Sequence, residues 1–500
     1  MSARRIARYL GLDAVDRPTL WVFVAAVLIS GWARFAVAPH IPLWLDEAWT
    51  GGIAGQSTWG ETIRQTWLDA NAPLYYAIMH VWIGLFGASN EVMRFPSLVF
   101  GLLTPFLPLV IRIDGWRTED RLAMGALLAV WTQGIILAQE ARCYTLLILL
   151  ATAQTLCFAR LLTGPSTRRA LVWALLCSLV IVTHYQALAL GAVQGLIYLA
   201  THRLKAVKTW PAVLGFAPGF AVLAWHLPRL LQFARPDVAW YDVATLDTLA
   251  SVGIFLGDSW WLYALPVIGV LYLLGRALLR RPLMAAQAGR PALWLAGLSA
   301  VIGLAIVFGA GMVRPSFTLR YATPFLPGVI MLFCLGVRAV SVPFPAARVG
   351  LMLMALLHCA DWSTASAGKI WRYFTYEAAS RDLLATHPTR LVFIWDHPAQ
   401  QVEDPSQYVA AGGFFFRRAG SNVPVTPVMV RGDEDPNIAL TKAASAPGSV
   451  ILWLYDTRVR GTAAVRFPPR ITVVDPSFGC HDYGKGRFGV LACSRTWEKP

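Results

Sequence analysis

The chain has 500 residues, 56% hydrophobic and only 14% charged, with a mean hydropathy of +0.53. Soluble proteins carry roughly 25% charged residues, so these values exclude an ordinary soluble globular protein and imply a polytopic α-helical membrane protein. The net charge of +15 does not imply nucleic acid as a partner, because the basic residues fall in short loops between apolar segments, where they act as topology signals.

The N-terminal MSARRIARYLGLDAVDRP is basic and has no short apolar core ending in a small-residue cleavage site, so it reads as a cytoplasmic flank and not as a signal peptide. A span needs about 20 apolar residues. Apolar runs predict about eleven spans, near 20–38, 96–112, 121–139, 143–162, 170–185, 187–201, 210–227, 261–280, 291–312, 321–340 and 346–361. The 21 Trp suit interfacial belts. Segment 73–87, PLYYAIMHVWIGLFG, is apolar but too short for an ordinary span. The positive-inside rule decides its placement. Keeping it on the outer face leaves the loops with Arg112, Arg117 and Arg121, with Arg168 and Arg169, with Arg203, Lys205 and Lys208, and with Arg280, Arg281 and Arg290 cytoplasmic. It is therefore read as a juxtamembrane helix within a first outer loop, 39–95.

This topology puts the N-terminus inside and the C-terminus outside. Chosen from Lys and Arg alone, it gathers Asp46, Glu47, Asn71, His80, Glu91, Arg94, Glu140, Arg142, His184, Tyr185, Arg229, Arg314, Arg320 and Tyr321 on the outer side. Beyond the last span the strand-like runs RLVFIW and SVILWLY, separated by Pro, Gly and Asp turns, predict a small soluble α/β domain. The expected division is a transmembrane domain, 1–362, and an external domain, 363–500. Of seven cysteines, Cys143, Cys157, Cys177, Cys334 and Cys359 lie in or beside apolar segments and read as small core residues. Cys480 and Cys493 flank HDYGKGRFGVLA and are either a disulfide closing a short loop or two free thiols. No CxxC motif and no Cys/His group has zinc spacing.

Five polar groupings carry the candidate chemistry. Asp46 and Glu47, in IPLWLDEAWTGG, follow the first span. One carboxylate can take a proton from an acceptor hydroxyl while the other orients the acceptor or binds a cation; the plain alternative is a hydrated interfacial pair. In NAPLYY, Asn71 suits a helix cap and Pro73 a first turn, and Tyr75 and Tyr76 either line a substrate cleft or anchor at the interface. QEARCYTL holds Glu140 and Arg142, either a boundary ion pair or an acid and a phosphate-binding guanidinium. THYQ places His184 and Tyr185 at the outer end of a span, where the imidazole can donate to a phosphate or simply sit hydrogen-bonded. RPSFTLRYATPFLP carries Arg314, Arg320 and Tyr321 on the side the positive-inside rule disfavours, which calls for an anionic partner: a lipid phosphate or an outer acid.

These pieces, in this order over residues 20–330, resemble the GT-C glycosyltransferases that use polyprenyl-phosphate sugars, near the protein O-mannosyltransferase and lipid A aminoarabinose transferase relatives. The matching segments are WLDEAWT, NAPLYYAIMHVW, EVMRFPSLVFG, QEARCYTLLILL, THYQALAL and LRYATPFLP. The resemblance implies a GT-C fold and an inverting hexosyl or pentosyl transfer. The sugar moves from an undecaprenyl-type phosphate to a lipid, glycan or protein acceptor at the outer face of a bacterial inner membrane. It gives Asp46 as base with Glu47 its partner, Glu140 as the second acid, and Arg142, Arg320 and His184 as donor-phosphate contacts. Asn71, Tyr75, Tyr76, Tyr185 and Tyr321 then line the cleft. No cofactor is required, and a divalent cation on the acids stays open. Asn71-Ala72 stands where relatives carry a basic residue or His before Pro. The competing class is a transporter or lipid flippase. That class expects ionisable residues at span centres and paired halves with broken helices, and neither pattern is evident in the chain.

Overall fold

A computed structural model describes residues 15–37, 42–233, 243–257, 290–341, 346–366, 376–396, 404–429, 442–456, 475–483 and 488–498, with residues 12, 271 and 440. The chain forms two compact units. The first comprises Met1–Ala36, Pro96–Pro228 and Tyr241–Ser363; the second comprises Val37–Phe95, Arg229–Trp240 and Thr364–Pro500. Sequence patterning divides the chain at 362, whereas the structure groups the first loop with the C-terminal region. The loop helices are too short to bury their own apolar faces and find that cover in the tail.

The first unit is a helical bundle of membrane type. Among the described residues six helices are long and apolar enough to cross a membrane: Arg17–Phe35, Asn90–Val110, Tyr144–Thr163, Tyr185–Phe233, Pro291–Val313 and Leu319–Arg338. A seventh is the pair Thr118–Val130 and Thr132–Ala138, bent by 56°. The bend falls at Trp131, which leaves the helical region with ψ 114° and gives its indole N–H to the Phe255 carbonyl at 3.0 Å. The runs expected as separate spans at 187–201 and 210–227 lie on two arms: the chain leaves the helical region at Arg203, φ 47° and ψ −129°, and the Tyr198 hydroxyl on one arm meets Thr209 on the other at 2.9 Å. The run expected at 170–185 forms the 15-residue helix Thr167–Ile181, and that at 346–361 lies in the helix Ala346–Ser366. The expected span 261–280 lies outside the described residues.

Small residues set the helix separations. A Cβ on Gly328 would meet the Ala300 Cβ at 2.3 Å, and one on Gly297 would meet the Leu332 Cγ at 2.5 Å. Packing of this kind replaces the hydrophobic effect where the surroundings are lipid. Polar side chains then join helices inside the bundle. Gln154 donates to Gln194 at 2.9 Å, Trp173 donates to the same oxygen at 2.8 Å, and Gln194 donates to Ser299 at 3.4 Å. Toward one set of helix ends Asp120, 3% exposed, is held by Arg338 at 2.9 Å and Arg348 at 3.9 Å, and Arg348 reaches Asp16 at 2.8 Å.

The second unit holds a five-stranded mixed sheet in the order β2-β1-β3-β5-β4, where β1 is Arg390–Asp396, β2 Val425–Val428, β3 Ser449–Asp456, β4 Gly479–Asp482 and β5 Phe488–Ser494. The runs RLVFIW and SVILWLY are the parallel neighbours β1 and β3, with Leu391 beside Val450 and Ile394 beside Trp453. Parallel strands are covered on both faces. Accordingly Leu391, Val392, Phe393 and Ile394 are all 0% exposed. On β4 and β5 the facing Cys480 and Cys493 form a disulfide, their Cα atoms 4.1 Å apart. The loop's helices Leu45–Ala54, Trp59–Leu68 and Leu74–Phe86 belong to this unit. Gly51 lies under the Phe414 ring and Gly52 against the Ala410 carbonyl, closer than any Cβ allows.

Replacing Cys480 and Cys493 by Ser opens a crosslink across a sequence separation of 13 and should lower the C-terminal domain's stability by about 2–3 kcal/mol. Thermal unfolding with and without reductant reads the loss, and non-reducing peptide mapping should show residues 480 and 493 in one crosslinked species.

Candidate active site

In the second unit, Trp44 opens the helix Leu45–Ala54, so Asp46 and Glu47 fall in its first turn, where acids complement the helix dipole. Neighbouring residues on a helix point about 100° apart, and the two carboxylates accordingly have different environments. Glu47 is 0% exposed and Asp46 half-buried. Glu47 accepts two bonds from Arg94, at 2.8 Å from Nε and 2.7 Å from Nη2, and a third from the Trp44 amide at 3.2 Å. Arg94, 1% exposed, also donates to the Pro42 carbonyl at 3.1 Å. Glu47 is thus engaged in a buried bidentate pair, and Asp46 is the carboxylate of the motif that retains solvent access. The pair's other half was visible in the sequence only as one arginine of EVMRFPS.

The following loop has a polar centre of its own. Asn71 does not cap the helix Leu74–Phe86, whose N-cap is Pro73; it turns back to donate to Asp69 at 2.8 Å. The Tyr76 hydroxyl donates to the same Asp69 oxygen at 2.5 Å. Tyr75 and Tyr76 are each 2% exposed, so their rings are packed and not presented as an open wall. Sequence reading passed over Asp69, whose signal lay in the DANAP run after an amphipathic helix. His80 contacts the Ala54 carbonyl at 2.9 Å and Thr62 at 3.0 Å and joins three loop helices. Arg229 is buried, donating to the Leu68 carbonyl at 3.2 Å and Gln232 at 2.6 Å.

In the first unit, Glu140, Arg142, His184, Arg320 and Tyr321 come together at the N-terminus of the helix Tyr144–Thr163. Glu140 and Arg142 occupy the tight turn before it, with the Arg142 amide bonded to the Glu140 carbonyl at 2.8 Å and the Arg142 carbonyl held by Ser97 at 3.1 Å. Arg320 approaches Glu140 at 4.0 Å and lies over the Tyr144 ring at 5.6 Å. The His184 ring meets Tyr321 edge-on at 4.7 Å. His184 Nδ1 and Thr145 Oγ1 are buried with no hydrogen-bond partner among the described residues. Tyr185 makes a different pair, its hydroxyl 2.6 Å from Nδ1 of His226, which is 0% exposed.

Burial, and after it the neighbouring Arg142, pushes the His184 imidazole down to about 4, so it is neutral near pH 7. The cluster brings two guanidinium groups and the Glu140 carboxylate together. Among the described residues no three His, Cys, Asp or Glu side chains gather in a metal-holding arrangement.

Arg94→Ala would leave the Glu47 carboxylate buried without its partner and should destabilise the protein by about 3–5 kcal/mol. Asp46→Asn should change stability by less than about 1 kcal/mol. Thermal unfolding of the purified protein in detergent separates the two. The pH dependence follows from His184. Its folded value of about 4 lies below the ordinary 6.5. As pH falls through that window the unfolded chain binds a proton that the native site refuses, so stability is full above the window and declines within it. His184→Gln should flatten this decline, read as a smaller drop in unfolding midpoint across the same pH range.

No protein-family model and no curated protein matches the chain. Solved structures do. ArnT from Cupriavidus metallidurans bound to undecaprenyl phosphate superposes with a TM-score of 0.55 at 13% identity, and ArnT of the same organism in the apo state with 0.56 at 14%. Each comparison covers 95% of this chain and 97% of that one. Over nearly its whole length the chain therefore has the fold of these ArnT structures.

Proposed function

We propose that this protein is an inverting glycosyltransferase that moves a sugar from a polyprenyl-phosphate donor to a hydroxyl of a lipid, glycan or protein acceptor. The observation that carries the reading is the grouping of buried Arg142, partly exposed Arg320 and neutral, buried His184 at the N-terminus of a spanning helix, in a fold shared with a structure that binds undecaprenyl phosphate. A phosphate monoester at the end of a lipid chain is an anion that a spanning bundle can receive. His184 Nδ1 and Thr145 Oγ1 are buried polar atoms that such a ligand could satisfy.

In this proposal Asp46 removes the proton from the acceptor hydroxyl as its oxygen attacks the anomeric carbon opposite the phosphate. The carbon–oxygen bond to phosphate breaks, its electron pair leaves with the polyprenyl phosphate, and the anomeric configuration inverts. Arg142 and Arg320 stabilise the charge that develops on the leaving phosphate. Their guanidinium groups stay charged at any working pH and suit bidentate phosphate contacts. His184, being neutral, donates a hydrogen bond and contributes no charge. Glu47 acts through Arg94 and the backbone of Trp44, and Glu140 aligns Arg320. The acidic positions stay available to a divalent cation, but the arginines supply the positive charge that the leaving group needs, so transfer is expected to persist in a chelator. The disulfide between Cys480 and Cys493 fits a C-terminal domain on the oxidising, periplasmic side of a bacterial inner membrane, with the N-terminus cytoplasmic.

Purified protein given radiolabelled polyprenyl-phosphate sugars and membrane acceptors should transfer label, and Asp46→Asn should lower the rate by about 10²–10⁴-fold at unchanged folding. Arg320→Gln should lower kcat by about 10²-fold. An Asp46→Asn variant with wild-type turnover removes Asp46 as base. A folded wild type that moves lipid across liposomes without transferring sugar replaces the enzyme reading with a flippase.

A further inference from the structure

The C-terminal region matches none of the motifs that suggest glycosyl transfer, yet it grips the segment that carries Asp46. The Glu377 carboxylate accepts the Leu43 amide at 2.8 Å and the Asn90 side chain at 3.0 Å on one oxygen. Its other oxygen takes Arg418, which also donates to the Asn90 side chain at 2.6 Å and lies over the Phe415 ring at 4.9 Å. Leu43 stands two residues before the helix Leu45–Ala54, and Asn90 opens the helix Asn90–Leu103 that carries Arg94. Side chains therefore fix three successive backbone positions ahead of Asp46: Arg94 the Pro42 carbonyl, Glu377 the Leu43 amide and Glu47 the Trp44 amide.

The far end of the same helix is seated without side chains. Gly51 lies under Phe414, and Gly52 lies where a Cβ would stand 2.7 Å from the Ala410 carbonyl oxygen. The two helices that provide this seat are tied to the one bearing Glu377: Tyr376 donates to the Ala411 carbonyl at 2.7 Å and packs edge-on against Phe415 at 4.9 Å. Arg418 and Glu377 keep 23% and 19% of their side-chain surface exposed, and an ion pair so placed adds little to global stability. Its reach to Leu43 and Asn90 is geometric.

We propose that Glu377 and Arg418 of the C-terminal domain are positioning residues that set the Asp46 helix at its N-terminal end, with Gly51 and Gly52 as the seat at its other end. This rests on Asp46 being the base of the proposed transfer. A base displaced by about 1 Å can lose 10²-fold in rate while donor binding at other residues is untouched. The domain thus tunes turnover without touching the reacting atoms.

Hydrogen exchange of the full-length protein and steady-state transfer kinetics test this on Glu377→Ala and, from the opposite end, Gly52→Ala. In both variants amides of residues 43–54 should exchange about tenfold faster than in wild type, with the helix Tyr144–Thr163 unchanged. In both, kcat should fall about 10–100-fold while KM for the donor stays within about twofold. Wild-type exchange in residues 43–54 overturns the proposal. So does unchanged kcat once that segment is loosened, or a rise in KM with kcat intact. Absence of transfer in the wild type bears on the glycosyl-transfer reading, and the exchange measurement then decides the clamp by itself.

Discussion

The buried pair between Glu47 and Arg94 is the constraint on which the first loop depends. Two charges in a region with almost no solvent access persist only when every lone pair and proton has a partner. Here Glu47 takes two guanidinium bonds and a backbone amide, and Arg94 spends its remaining reach on the Pro42 carbonyl. The pair joins the start of one helix to the first turns of another. A hydrophobic replacement could fill the volume, but it could not hold the backbone polar groups of 42–44.

The two clusters of ionisable groups follow opposite electrostatic rules. In the motif that carries Asp46, the buried charges of Glu47 and Arg94 neutralise one another. Around the Tyr144 helix start, Arg142 and Arg320 accompany Glu140, and burial keeps His184 uncharged. The shared fold with ArnT supplies the scaffold, and at 13–14% identity it leaves the local chemistry to the residues themselves.

The packing in the two units differs in kind. In the bundle, glycines such as Gly297 and Gly328 bring helices together, and buried amides such as Gln154 and Gln194 select the pairing. In the second unit a sheet with strands buried on both faces forms a water-type core, closed at one edge by the disulfide. Gly51 and Gly52 use the membrane device of close small-residue approach to seat a loop helix on that water-type domain.

The sequence by itself determined what depends on local composition. Apolar runs of span length, the shortness of 73–87, the strand pattern of RLVFIW and SVILWLY, and the candidate groups around Asp46, Glu140, His184 and Arg320 are legible because hydropathy, length and residue type act within a few residues. Only the tertiary structure decided which of two adjacent acids is buried, since Arg94 lies 47 positions from Glu47. It decided that Asn71 turns to Asp69 in place of capping a helix, that the chain turns at Arg203 to bring Tyr198 to Thr209, and that the loop packs with the tail, where Glu377 lies 334 positions from Leu43. Pairings at such separations leave no periodic trace in one chain. Their free energy comes from desolvation and geometry that exist only after the segments meet.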